Sequence, residues 1–162
     1  MKRTLVIFAA LTALSISSAT AKDKASETFL KKAIEGNYAE VNMGELAQKN
    51  GQSDGVKSFG KMLSTDHAAG NQKAMDAAKT MGMNPPSGPN AKEKDEYKKM
   101  SKLSGEKFDK MFARHMVKDH EKDIADYKKE SKTKDAAGEY ASSQIDTLQK
   151  HLDAAKSLES GK

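Results

Sequence analysis

Apolar residues recur at steps of three and four along most of this chain, the spacing of helices that bury one face. Leu30, Ile34, Tyr38 and Val41 form such a row in a helix predicted from Ser26, its N-cap, to about Asn50, where Asn50-Gly51 is a stop signal. A second helix is predicted after Ser53-Asp54 to about Met81. Its stripe is Val56, Phe59, Leu63, His67, Gly70, Ala74, Ala78 and Met81, with a histidine where an apolar residue belongs. Gly82–Asn90 contains all 3 prolines and reads as a loop. A short helix is expected over Ala91–Leu103, broken by Ser104-Gly105. A long one follows from Glu106 to about Ser131, with Phe112, Met116, His120, Ile124 and Tyr127 on one face. The last runs from Asp135 to about Glu159, with Tyr140, Gln144, Leu148, His151, Ala155 and Leu158 in a row.

Four long helices with two tight connections predict an all-α fold, an antiparallel four-helix bundle. The long Pro-rich connection between the second and third long helices can cross the bundle, as in ferritin-like folds. In this register four polar residues fall on core-facing positions, one per long helix: Glu40, His67, His120 and His151. Counted from the tight turns at 1.5 Å per residue, they stand roughly 18, 22, 21 and 25 Å from the same bundle end. A shared layer near mid-bundle is therefore expected.

Three imidazoles and a carboxylate suit a divalent first-row metal, zinc first, with iron and copper behind it. Asp66 beside His67, and Asp119 and Glu121 beside His120, are acids placed to orient such ligands. His115, five residues before His120, is about 140° around the helix and reads as a separate surface or boundary residue. Met81-Gly82-Met83 is a rival for Cu(I), or simply adaptable helix-end packing. A metal-free alternative exists for the four core positions: a buried polar network in which every donor is satisfied.

Charge and composition narrow the setting. Lys2 and Arg3, the apolar run Leu5–Leu14 and Ala19-Thr20-Ala21 read as an export leader over residues 1–21, leaving one domain over 22–162. The run is short for a membrane span, so no stable insertion is expected after cleavage. Losing the leader moves the net charge from +5 to +3, by removing Lys2 and Arg3. Lysines are scattered and few aromatics lie between them, which argues against nucleic acid as a partner. With 0 cysteines, disulfides, lipidation at cysteine, iron–sulfur clusters and thiolate chemistry are excluded. No phosphate loop, nucleophile elbow or His-Glu-x-x-His is present. The expected location is the periplasm or the cell exterior.

The ordered motifs resemble a bacterial secreted family, domain-of-unknown-function family 4142, often labelled "predicted outer membrane protein". Glu40-Val41 with Gly44-Glu45-Leu46-Ala47 resembles its first motif. Val56-Lys57-Ser58-Phe59, Met62 and Asp66-His67 resemble the second; Phe108-Asp109, Val117 and Asp119-His120 the third; Leu148, His151-Leu152 and Ala155 the fourth. The resemblance implies a ferritin-like four-helix bundle and export, with characteristic polar positions at Glu40, Asp66, His67, Asp119, His120 and His151. It implies no settled activity. Di-iron bundles carry Glu-x-x-His on two helices, whereas Ser64 and Leu148 stand three residues before His67 and His151 here.

The leading expectation is a non-enzymatic, exported bundle that binds a divalent metal ion at mid-bundle, in envelope stress or metal homeostasis. The alternatives are a structural or interaction bundle without metal, and a metal-dependent hydrolytic or redox enzyme. No protein partner is indicated.

Overall fold

In the computed structural model, which describes residues 15–161, the chain is all-α, with five helices packed antiparallel. They are α1 (Ser15–Asn50), α2 (Asp54–Thr80), α3 (Ala91–Met100), α4 (Gly105–Glu130) and α5 (Ala136–Ser160). Residues 1–14, most of the expected leader, lie outside the described residues. Among the described residues no helix is long and apolar enough to cross a membrane.

Most of the boundaries follow local chemistry. Ser53 caps α2 by accepting from the Val56 N–H, and Asn90 with Glu93 forms a capping box on α3. Asp135 caps α5 by accepting from the Gly138 N–H. Ser26 is a correction: it sits inside α1, not at its start. Nothing between Ser15 and Ser26 is Gly or Pro, so no breaker stops the helix upstream. The Ser26 hydroxyl instead donates to Asp135 Oδ2 at 2.8 Å, tying α1 to the turn before α5. At the other bundle end, Asp109 of α4 accepts from the Gln52 and Ser53 N–H groups at 2.9 Å each.

The α1 register also differs from the expected row. Leu30, Ile34, Asn37, Glu40, Met43 and Ala47 are buried, while Tyr38 and Val41 lie half-buried beside them. The polar residues on this face interrupt the core. One apolar cluster includes Leu30, Ile34, Ala74, Ile124, Tyr140 and Leu148. Another includes Met43, Leu63, Phe108, Phe112, Met116 and Ala155. Three long helices cross from one cluster to the other at their polar position, between Ile34 and Met43, Leu63 and Ala74, and Met116 and Ile124; α5 crosses just after His151, between Leu152 and Ala155. The core is two apolar blocks with a polar layer between them. Met75, Met81 and Met83 pack against the first block.

Two glycines set the approach of α1 to α2. A Cβ on Gly44 would stand 2.5 Å from the Gly60 carbonyl oxygen, and one on Gly60 would stand 2.6 Å from that of Gly44. This contact holds α1 close enough for Asn37 to reach His67. Gly36 is the opposite case: its Cβ would meet nothing within 4 Å. Gly44→Ala is therefore expected to destabilise the fold by about 1–3 kcal/mol in urea unfolding, overpacking outweighing helix propensity. Gly36→Ala should stabilise it by up to about 1 kcal/mol.

Candidate metal centre

The polar layer brings three imidazoles together. His67 of α2, His120 of α4 and His151 of α5 are 6%, 1% and 1% exposed. Their ring centroids are 5.1–5.7 Å apart. One ring nitrogen from each lies within 4.8 Å of the other two, a cluster that can hold a metal ion.

The protons on these rings follow from their partners. His67 Nδ1 is 2.9 Å from Asn37 Oδ1, an acceptor, so Nδ1 carries the hydrogen and donates it. The Asn37 amide is oriented by its own Nδ2, which donates to the Tyr140 hydroxyl at 3.0 Å. His120 Nδ1 is 2.9 Å from the Met116 carbonyl oxygen and must likewise donate. His151 Nε2 is 2.9 Å from Asp66 Oδ2, so here it is Nε2 that carries the hydrogen. In neutral rings this leaves His67 Nε2, His120 Nε2 and His151 Nδ1 as bare lone pairs.

Two of those lone pairs face each other. His120 Nε2 and His151 Nδ1 are 3.3 Å apart, with no hydrogen available between them once Asp66 holds the His151 proton. His67 Nε2 is buried with no hydrogen-bond partner at all. Two nitrogens on one tetrahedral zinc, each about 2.0–2.1 Å from the ion, are separated by roughly 3.3–3.4 Å. The donor set therefore fits a cation, and it leaves a metal-free network unsatisfied.

The rings are held neutral. Burial drives the His67 pKa well below its ordinary value, with His120 and His151 adding to the effect. Burial, then the His151 ring, pushes His120 down to about 4. His151 is lowered by burial, and Asp66 pulls it part of the way back.

Glu40 lies outside the 4.8 Å cluster of rings. It is 7% exposed, and its Oε2 has no hydrogen-bond partner. Burial raises its pKa well above the carboxylate range, with Asp119, Asp123 and Glu93 adding repulsion, so the carboxyl is held as the neutral acid. Glu40 and His67 line one cavity of about 510 Å³ between α1, α3 and α4. Asp66, the sequence neighbour of His67, reaches His151 instead, because adjacent residues on a helix point about 100° apart. Asp119 lies 3.1 Å from His115 Nε2, and Glu121 is exposed and pairs with Lys156 at 2.8 Å. Sequence reasoning missed the role of Asn37. A polar residue on the buried row of α1, three before Glu40, was the signal available for it.

These features define a helical-bundle protein with a buried three-histidine cluster. The chain belongs to the family described as Domain of unknown function (DUF4142), which it matches over residues 11–158. No curated protein and no solved structure matches it.

The neutral rings make stability depend on pH. The folded His120 pKa, near 4, lies below the unfolded value near 6.5. Its contribution is complete above 6.5 and is lost as pH falls toward 4, because the unfolded chain then binds the proton that the folded chain refuses. In chelator-treated protein, the loss of unfolding free energy from pH 7 to pH 4 should be roughly 3 kcal/mol larger for wild type than for His120→Gln. Urea titrations across that range measure the difference.

Proposed function

We propose that this protein is an exported bundle, ferritin-like in arrangement, that binds one divalent first-row metal ion between His67, His120 and His151. The observation that carries this reading is the orientation of three buried rings, each with one N–H held by an oxygen and its other nitrogen bare. Ligand histidines are fixed in this way by carboxylates and backbone carbonyls. Zinc is the favoured ion, because it is bound by neutral imidazoles and the His120–His151 nitrogen pair already stands at tetrahedral spacing, with iron and copper behind it. Glu40, buried and with a free oxygen, is the candidate carboxylate for a further position. It would bind as the anion after losing its proton, and would offset part of the ion's charge.

Ser64 and Leu148 replace the glutamates of a di-iron pattern, which favours a single ion. The role is binding within the cell envelope, in metal or stress homeostasis, with the leader over residues 1–21 directing export. Asp66 and Asn37 orient His151 and His67, and Asp119 lies one turn from His115 beside His120. A polar network without metal is the weaker reading, since it leaves Glu40 Oε2 and His67 Nε2 buried and unpaired.

Loading chelator-treated protein with Zn²⁺ or Co²⁺ tests this. Metal analysis and native mass spectrometry should find one ion per chain, and Co²⁺ should give the intense visible absorption of a low-coordinate site. Asp66→Ala and Asn37→Ala should each weaken binding about 10–100-fold. A His67→Ala, His151→Ala double variant should bind none at this site. Failure of the wild-type protein to take up any of zinc, cobalt, iron or copper would contradict the proposal.

A further inference from the structure

The cluster is buried, so an ion must have a way in. We propose that the cavity between α1, α3 and α4 is the access route and outer holding station for a hydrated divalent cation, which Glu93, Asp119 and Asp123 attract and Glu40 receives at the inner end. This rests on the metal-binding reading above.

The cavity is large enough. Its volume is about 510 Å³, whereas a water in the liquid occupies about 30 Å³, so an ion with its first shell of waters fits inside. The opposite side of the cluster is closed by comparison. The space beside Asp66, Thr147 and His151 is only about 10 Å³, room for about one water and none for a hydrated ion.

Charge points the same way. The chain carries a formal net charge of +5, which repels cations overall. The cavity reverses this: with Glu40 neutral, 6 acidic side chains still line it against 4 lysines. Two of those lysines are already engaged. Lys92 pairs with Glu96 at 2.6 Å, and Lys122 pairs with Asp126 at 2.9 Å and with Asp123 at 3.4 Å, so these charges offset one another locally and the excess rests on the acids that outnumber the lysines. An excess of one sign in a cleft between low-dielectric walls focuses the field and speeds the capture of oppositely charged ligands.

The inner end is built to receive a ligand. Glu40 Oε2 and His67 Nε2 are both buried without a hydrogen-bond partner, and both residues line this cavity. His67 is the one ring of the three among the lining residues, which makes it the ring an arriving ion meets first. Gly36 adds an independent sign. It stands in the interior of α1, one turn before Glu40, and lines the cavity, and a Cβ there would meet nothing within 4 Å. Its φ is not in the left-handed region, so no turn demands glycine there. A helix-interior glycine without a tight contact weakens the helix, and here it keeps the passage wide.

Stopped-flow uptake of Co²⁺ or Zn²⁺ by the chelator-treated full chain tests the route. Glu93→Gln with Asp123→Asn removes two charges and keeps the oxygen that caps α3. At about 10 mM salt this variant should take up the ion roughly tenfold more slowly than wild type. The gap should close near 500 mM salt, where the screening length falls to a few Å. One ion should still bind per chain. Asp76→Asn with Asp146→Asn makes the same change in net charge away from the cavity and should bind at the wild-type rate. Gly36→Phe, which fills the passage, should slow uptake at both salt concentrations without changing the final stoichiometry. Wild-type rates in both cavity variants would overturn the route while leaving the metal site standing, as would equal slowing in the Asp76, Asp146 control. A wild-type protein that binds no ion would overturn the metal reading itself.

Discussion

His120 Nε2 and His151 Nδ1 face each other across 3.3 Å, and the partners of both rings deny them a hydrogen to share. Two lone pairs at that distance in a buried layer between apolar blocks repel each other, and repulsion is weakly screened there. His67, whose ring belongs to the same cluster, carries a further bare nitrogen. A positive charge between the rings would offset that cost. A proton is a poor candidate, since burial lowers the affinity of all three rings for it. A divalent cation is the better one, because it takes all three lone pairs at once.

The scaffold keeps the rings in that arrangement. Apolar blocks above and below the polar layer anchor each long helix on both sides of its histidine or glutamate. The Gly44–Gly60 contact fixes the α1–α2 spacing, and so the hydrogen bond from His67 to Asn37. Hydrogen bonds donated by Ser26 and accepted by Asp109 tie the two ends of the bundle to neighbouring turns. The Tyr127 and Tyr140 hydroxyls, 3.1 Å apart, extend the network from Asn37 into the first apolar block. The neutral carboxyl of Glu40 fits the same logic, since a buried anion with no counterion is more costly than a buried acid.

Much of this was legible in the sequence. His67, His120 and His151 stand on helical stripes at matching heights, and a rise of 1.5 Å per residue suffices to place them in one layer. Tertiary relations were harder to read. Asp66 adjoins His67 in the chain but serves a ring on another helix, because helical geometry turns neighbours apart. Asn37 belongs to none of the motifs legible in the chain, although its amide is what orients His67. Glu40 was placed with the rings by its core-facing position and its height; it is buried, but it stands outside their cluster. Ser26 looked like a cap because the local signal for one was present, but contacts with Asp135 and the absence of a breaker upstream carried the helix past it.

The most direct test is the protonation state of each ring nitrogen, read by long-range ¹H–¹⁵N NMR of the chelator-treated protein at pH 7. The account predicts hydrogen on Nδ1 of His67 and His120 and on Nε2 of His151. It also predicts that zinc shifts the other three nitrogens. A hydrogen on His151 Nδ1, donated to His120, would mean that the rings satisfy each other and that no cation is needed between them.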